Sequence, residues 1–151
     1  AVADLAGRGK DVTLTIIGDG EARAQLQAQV QSLGMEKHVL FAGRVSPEEA
    51  RALQARAALV CIPRRPFEVC RIVPPIKLVE AMAMGKPVMV SDYAGLPENI
   101  RPGTDGWIVP VHGCAAMANA LRDMPAASAS VSSDHGCAGA SCIATSARPG
   151  A

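Results

Sequence analysis

Aromatic residues are almost missing from this chain, with one Trp, one Tyr and two Phe among 151 residues. Any core must therefore be aliphatic and alanine-rich, which an apolar content of 49% permits at this length. Charge of one sign is missing too. Fifteen Lys and Arg against 14 Asp and Glu leave a net charge of +1, without the basic footprint of a nucleic-acid surface. No apolar run approaches the ~20 residues of a membrane span, and no signal-peptide pattern opens the sequence. Cysteine is present without a framework. Cys61, Cys70, Cys114, Cys137 and Cys142 are odd in number and irregular in spacing, so they read as reduced thiols of a cytoplasmic protein.

What is present is an alternation of strand and helix signals. Residues 1–5 read as the last turns of a helix, 12–17 as a β-branched strand, and 21–33 as a helix with Ala22, Leu26, Val30 and Leu33 on one face. A strand follows at 39–41. Ser46-Pro47-Glu48-Glu49 is a capping box with Pro at the first helical position, predicting a helix over 47–56. Further strands are expected at 58–62, 88–90 and 106–109, and a last helix at 114–124. This order predicts an α/β domain with a parallel sheet and helices on both faces, covering 1–124. Residues 125–151 are dominated by Ala, Ser, Gly and Cys without periodicity, and are expected to form a disordered tail.

The richest stretch is PPIKLVEAMAMGKPVMVSD, from Pro74 to Asp92. The two prolines suit a helix start, Gly85 and Pro87 stop the helix, and Val88-Met89-Val90 is a strand covered on both sides. Ile76, Val79 and Ala83, with Leu78, are expected to form the apolar face, leaving Lys77 and Glu80 off it. A helix N-terminus after a loop favours anions. Lys77 and Glu80, one turn apart, suit the phosphate and the hydroxyls of one ligand.

This stretch, followed by Ala94-Gly95-Leu96-Pro97-Glu98, resembles the sugar-nucleotide half of family 4 glycosyltransferases of the GT-B fold, and the resemblance runs from about Val2 to Leu121. It implies a Rossmann-like domain binding a nucleotide-sugar donor of UDP or GDP type. It also implies transfer of the sugar to an acceptor hydroxyl, with no metal or other cofactor, and an acceptor domain that this chain does not contain. Glu80 is then expected to take the ribose hydroxyls and Lys77 a phosphate. Arg71 would take a phosphate or sugar contact, the loop backbone from Cys70 to Val73 with Pro74 would face the diphosphate, Arg44 and Val45 the base through their backbone, and Gly18 the donor at the end of its strand. The resemblance further implies a first strand and a glycine-bearing loop with an Arg and a Lys ahead of Ala1. Without that strand a gap is expected in the sheet between the strands at 12–17 and 58–62, and the chain alone is expected to be inactive. The family's first Glu, eight residues before the second, is replaced by Ile72, with Glu68 the nearest upstream acid. The full enzyme is expected to be cytoplasmic, with peripheral membrane association open.

Other patterns are weaker. Gly18-Asp19-Gly20 begins a dinucleotide fingerprint, but the third glycine position holds Arg23. His135, Cys137 and Cys142 lack a fourth metal ligand. A non-catalytic nucleotide-binding module, an inactive truncated fragment and a nucleotide-sugar epimerase are the alternatives to a transferase.

Overall fold

The computed structural model of the protein describes residues 1–64, 66, 68, 76–93, 95–123, 134–135 and 140–146. Helix α1 (Val2–Gly7) leads into β1 (Val12–Gly18), α2 (Arg23–Ser32), β2 (Val39–Gly43), α3 (Pro47–Arg56) and β3 (Leu59–Ile62). Then come α4 (Ile76–Ala83), β4 (Val88–Ser91), a short 3-10 helix (Pro97–Asn99), β5 (Gly106–Val109), α5 (Cys114–Asp123), β6 (Asp134–His135) and β7 (Ala140–Ser146). The strands form one sheet in the order β2-β1-β7-β3-β4-β5, with β6 pairing against β7. β1 with β2, β3 with β4 and β4 with β5 are parallel pairs, as the alternating pattern predicts.

Two apolar layers cover the sheet. Because successive strand residues point to opposite faces, Val60, Ile62, Val88 and Val90 pack on one side with Leu78 and Ala81 of α4. Leu59, Cys61 and Met89 pack on the other with Leu5 of α1 and Leu121 of α5. Local signals set several boundaries. Ser46 Oγ accepts from the Glu49 N–H at 3.2 Å, and Glu49 Oε2 accepts from the Ser46 N–H at 2.9 Å, closing the predicted capping box of α3. Gly85, at φ 66°, ends α4: its N–H reaches the Met82 carbonyl at 2.9 Å and the Lys86 N–H reaches the Ala81 carbonyl at 3.0 Å. That is the Schellman pattern, and its left-handed residue suits glycine.

One expectation needs correction. In α4 the buried residues are Leu78 and Ala81, whereas Ile76 and Val79 are about 60% exposed (62% and 60%) and Ala83 is exposed as well. The helix carries apolar residues on two faces, and the sheet takes the one bearing Leu78. Beyond α5 the described residues include β6 and β7, and β7 lies where a gap in the sheet was expected. It pairs antiparallel with β1 from Val12 to Gly18 and with β3 from Leu59 to Cys61. The physical reason lies in the backbone. β1 and β3 each offer a row of N–H and C=O groups that must be satisfied, and a segment of small residues can meet them without a large apolar side chain.

Candidate functional site

Because β1, β2, β3, β4 and β5 run parallel, their carboxyl ends lie at one edge of the sheet, where ligands of such sheets bind. At that edge lie Gly18 at the end of β1, Arg44 and Val45 just beyond β2, Arg64 just beyond β3 and Ser91 at the end of β4. Helix α4 connects β3 to β4, so its N-terminal turn begins at the same edge.

Lys77 and Glu80 lie on the first turns of α4 and meet each other. Lys77 Nζ donates to Glu80 Oε2 at 3.1 Å, with the two side chains 41% and 43% exposed. The pair is thus formed and within reach of solvent. Among the described residues, no hydrogen bond or ion pair joins it to Gly18, Arg44 or Val45. Three strand intervals separate β2 from β3, about 14 Å, so a ligand touching both groups must be elongated. Arg71, Val73 and Pro74 lie outside the described residues.

Several polar groups at this edge escaped the sequence reading. Arg64 is 4% exposed and Ser91 1% exposed. Ser91 Oγ accepts from the Arg64 N–H at 2.8 Å and donates to the Arg64 carbonyl at 3.2 Å, tying the ends of β3 and β4 together. The partners are 27 residues apart, and no local pattern announces such a link; a polar residue closing an apolar strand, as in Val-Met-Val-Ser, is the available hint. Arg23 was noted only as the residue that spoils a glycine motif. Its Nη1 donates to Asp19 Oδ1 at 2.8 Å and lies 3.2 Å from where a Cβ on Gly43 would stand. A guanidinium therefore sits between the ends of β1 and β2. The register shifts there, Ile16 pairing with Phe41 and Ile17 with Gly43, so Ala42 is bulged out. Such bulges re-aim the chain beside functional edges. Because Gly18 pairs with Ala140, β7 starts at this same edge, with β6 alongside.

No helix among the described residues is long and apolar enough to cross a membrane. The family model described as glycosyl transferases group 1 matches residues 1–126. The chain is 33% identical over 122 residues to the alpha-D-kanosaminyltransferase of Streptomyces kanamyceticus, covering 81% of this chain and 30% of that protein. It is 31% identical over 126 residues to the GDP-mannose-dependent alpha-(1-6)-phosphatidylinositol monomannoside mannosyltransferase of Mycolicibacterium smegmatis, covering 82% and 33%. Among solved structures it is similar to Anabaena HepE in complex with UDP, at TM-score 0.61 and 26% identity over 78% of this chain and 32% of that one. The chain thus spans about a third or less of the length of the relatives it matches.

Proposed function

This chain belongs to the group 1 glycosyl transferases, and on that premise we propose that it is the donor-binding half of a family 4-type enzyme. The enzyme would transfer a sugar from a nucleoside diphosphate sugar to an acceptor hydroxyl. The observation that carries this reading is the Lys77–Glu80 pair at the start of α4, on the carboxyl edge of the sheet. Glu80 accepts hydrogen bonds from the ribose hydroxyls, a task that a carboxylate with two oxygens suits. Lys77 leaves Glu80 and turns to a phosphate. With the N-terminal turn of α4 it stabilises the charge that develops on the leaving diphosphate. Arg71, Val73 and Pro74 complete the diphosphate side, and Gly18, Arg44 and Val45 the side of the base. The elongated spacing between these groups fits a base, a ribose and phosphates laid across the sheet edge. The reading calls for no resident metal, and the acceptor domain belongs to a part of the enzyme outside this chain.

A thermal-shift titration with UDP, GDP and ADP tests it. One similar protein is named for GDP-mannose and another was solved with UDP, so UDP and GDP are the expected ligands and ADP the control. A nucleotide at a hundred times its Kd adds about 2.7 kcal/mol, a rise in Tm of roughly 5–10 °C. Glu80→Ala is expected to remove most of that rise while leaving the melt without ligand close to wild type. Stabilisation that survives Glu80→Ala unchanged would place the nucleotide elsewhere. A second reading, a nucleotide-binding module without turnover, draws on the antiparallel β7 lying between β1 and β3, where the resemblance calls for a parallel first strand. Nucleotide stabilisation without sugar transfer, once an acceptor domain is supplied, would favour it.

A further inference from the structure

We propose, building on the donor reading of Arg44 and Val45, that Arg23 is a positioning residue for the turn that reads the nucleotide base. That turn leaves β2 at Gly43, whose φ of 71° lies in the left-handed region. Just ahead of it the register with β1 shifts, Ile16 pairing with Phe41 and Ile17 with Gly43. A bulge followed by a left-handed glycine lets the chain leave the strand in more than one direction. Apolar packing does little to choose among them, because α2 buries none of its residues completely and Leu40 on β2 is 58% exposed. Arg23 supplies the constraint. Its Nη1 lies 3.2 Å from where a Cβ on Gly43 would stand, so the guanidinium lies against this glycine. The same Nη1 donates to Asp19 Oδ1 at 2.8 Å, which holds it there. Asp19 directly follows β1, Arg23 opens α2 and Gly43 closes β2. One guanidinium thus joins three segments at the carboxyl edge, next to the backbone assigned to the base.

Such a residue acts through populations. With Arg23 in place, the turn is held in the conformation that presents the Arg44 and Val45 backbone to a base. Without it that conformation is one of several, and the apparent Kd rises as the inverse of the fraction that remains. Folding is little affected, since the Arg23 and Asp19 side chains are 34% and 51% exposed and an exposed ion pair adds little stability. The sign of the charge removed does not matter either. Losing Arg23 takes away a cation and losing Asp19 an anion, yet both release the turn. A purely electrostatic influence on a diphosphate would run in opposite directions in the two cases.

The test compares the full chain with Arg23→Ala, Arg23→Lys and Asp19→Ala, by calorimetric titration with UDP and GDP and by hydrogen exchange without nucleotide. Both alanine variants are expected to raise the Kd of the nucleotide that binds by about tenfold, with Tm within about 3 °C of wild type. Arg23→Lys keeps the charge beside Asp19 but has no planar guanidinium to lie on Gly43, so it recovers only part of the affinity. In Arg23→Ala, exchange quickens in the peptide spanning 39–46 and stays unchanged in the one spanning 76–91. Tighter binding by Asp19→Ala, or full recovery by Arg23→Lys, would overturn the proposal, because Arg23 would then act as a charge alone. Wild-type affinity in Arg23→Ala, or unchanged exchange over 39–46, would overturn it as well. Failure of the donor reading looks different: the wild type then binds neither UDP nor GDP, and no role toward a base is left for Arg23.

Discussion

In the β3–α4–β4 unit every strand residue is buried, and α4 sets Leu78 and Ala81, both 0% exposed, against the sheet. The β1–α2–β2 unit has the same parallel connection but a different interior. α2 buries none of its residues completely, and Leu33 and Leu40 are more than half exposed, at 53% and 58%. Position in the sheet explains the contrast. β3 and β4 have neighbours on both flanks, whereas β2 is an edge strand and α2 is largely Gln, Ala and Arg along its length. One half is therefore a rigid base for Lys77 and Glu80. The other, carrying Arg44 and Val45, has less to lose by moving. In the donor reading, the phosphate and ribose grip is built on the firm half and the base contact on the adaptable one.

The sharpest way to break this comparison is to truncate one leucine in each helix. Leu78→Ala removes a fully buried side chain and is expected to cost about 3–5 kcal/mol. Leu26→Ala, on the half-buried face of α2, is expected to cost under about 1 kcal/mol. Urea denaturation of both variants measures the difference. Equal losses would mean that α2 packs as firmly as α4, and the division of labour would fall.

A middle-sized effect is expected at the link between β3 and β4. Ser91→Ala removes the hydroxyl that serves both the N–H and the carbonyl of Arg64. Two backbone groups beside a residue 4% exposed then lose their partner, at a cost of about 1–3 kcal/mol. Ser91→Thr keeps the hydroxyl and separates its loss from general disturbance. If denaturation shows Ser91→Ala unchanged, water has entered the firm half and its rigidity is less than the burial implies.

How much of this was readable in advance depends on the range of each interaction. The capping box of α3 and the stop at Gly85 involve residues within six positions of one another, and their backbone partners follow from residue type. The covered strands were readable because Val88-Met89-Val90 and Leu59-Val60-Cys61-Ile62 are apolar throughout, so they needed no choice of face. α4 did need one. Ile76, Val79 and Ala83 form one helical stripe and Leu78, Ala81 and Met82 another, and periodicity does not rank them; the sheet does. The pairing of β7 was not readable for another reason. Conformational entropy and hydrophobicity describe a segment on its own, whereas Ala140–Ser146 meets two ready-made backbone edges at once. For the site, the positions of Lys77 and Glu80 followed from helical spacing. Arg64–Ser91 and Asp19–Arg23 come together through the sheet edge and a tight turn, and only the folded chain shows them.

The smallest expected effect lies at the opposite edge of the firm half, just ahead of β5. Arg101 Nε and Nη2 each donate to the Asp105 carboxylate at 2.7 Å, and the Arg101 backbone N–H adds a third bond at 3.2 Å. The Arg101 side-chain hydrogen bonds hold the Asp105 carboxyl below its ordinary range. In the unfolded chain Asp105 titrates near the usual value of about 3.9. The folded protein therefore takes up this proton later as the pH falls. The stability it contributes is complete above the unfolded value and is lost as the pH drops through the folded one. Arg101 is open to solvent, at 77% exposed, so the contribution is small. Comparing Tm from about pH 7 to pH 2 for wild type and Asp105→Asn isolates it. The difference is expected to stay constant above about pH 5 and to shrink below about pH 4. A difference that persisted undiminished into acid would mean that the Asp105 side chain supports the turn before β5 by its shape. The firm half would then extend to this edge, and its solidity would owe something to polar geometry as well as to the apolar layers of β3 and β4.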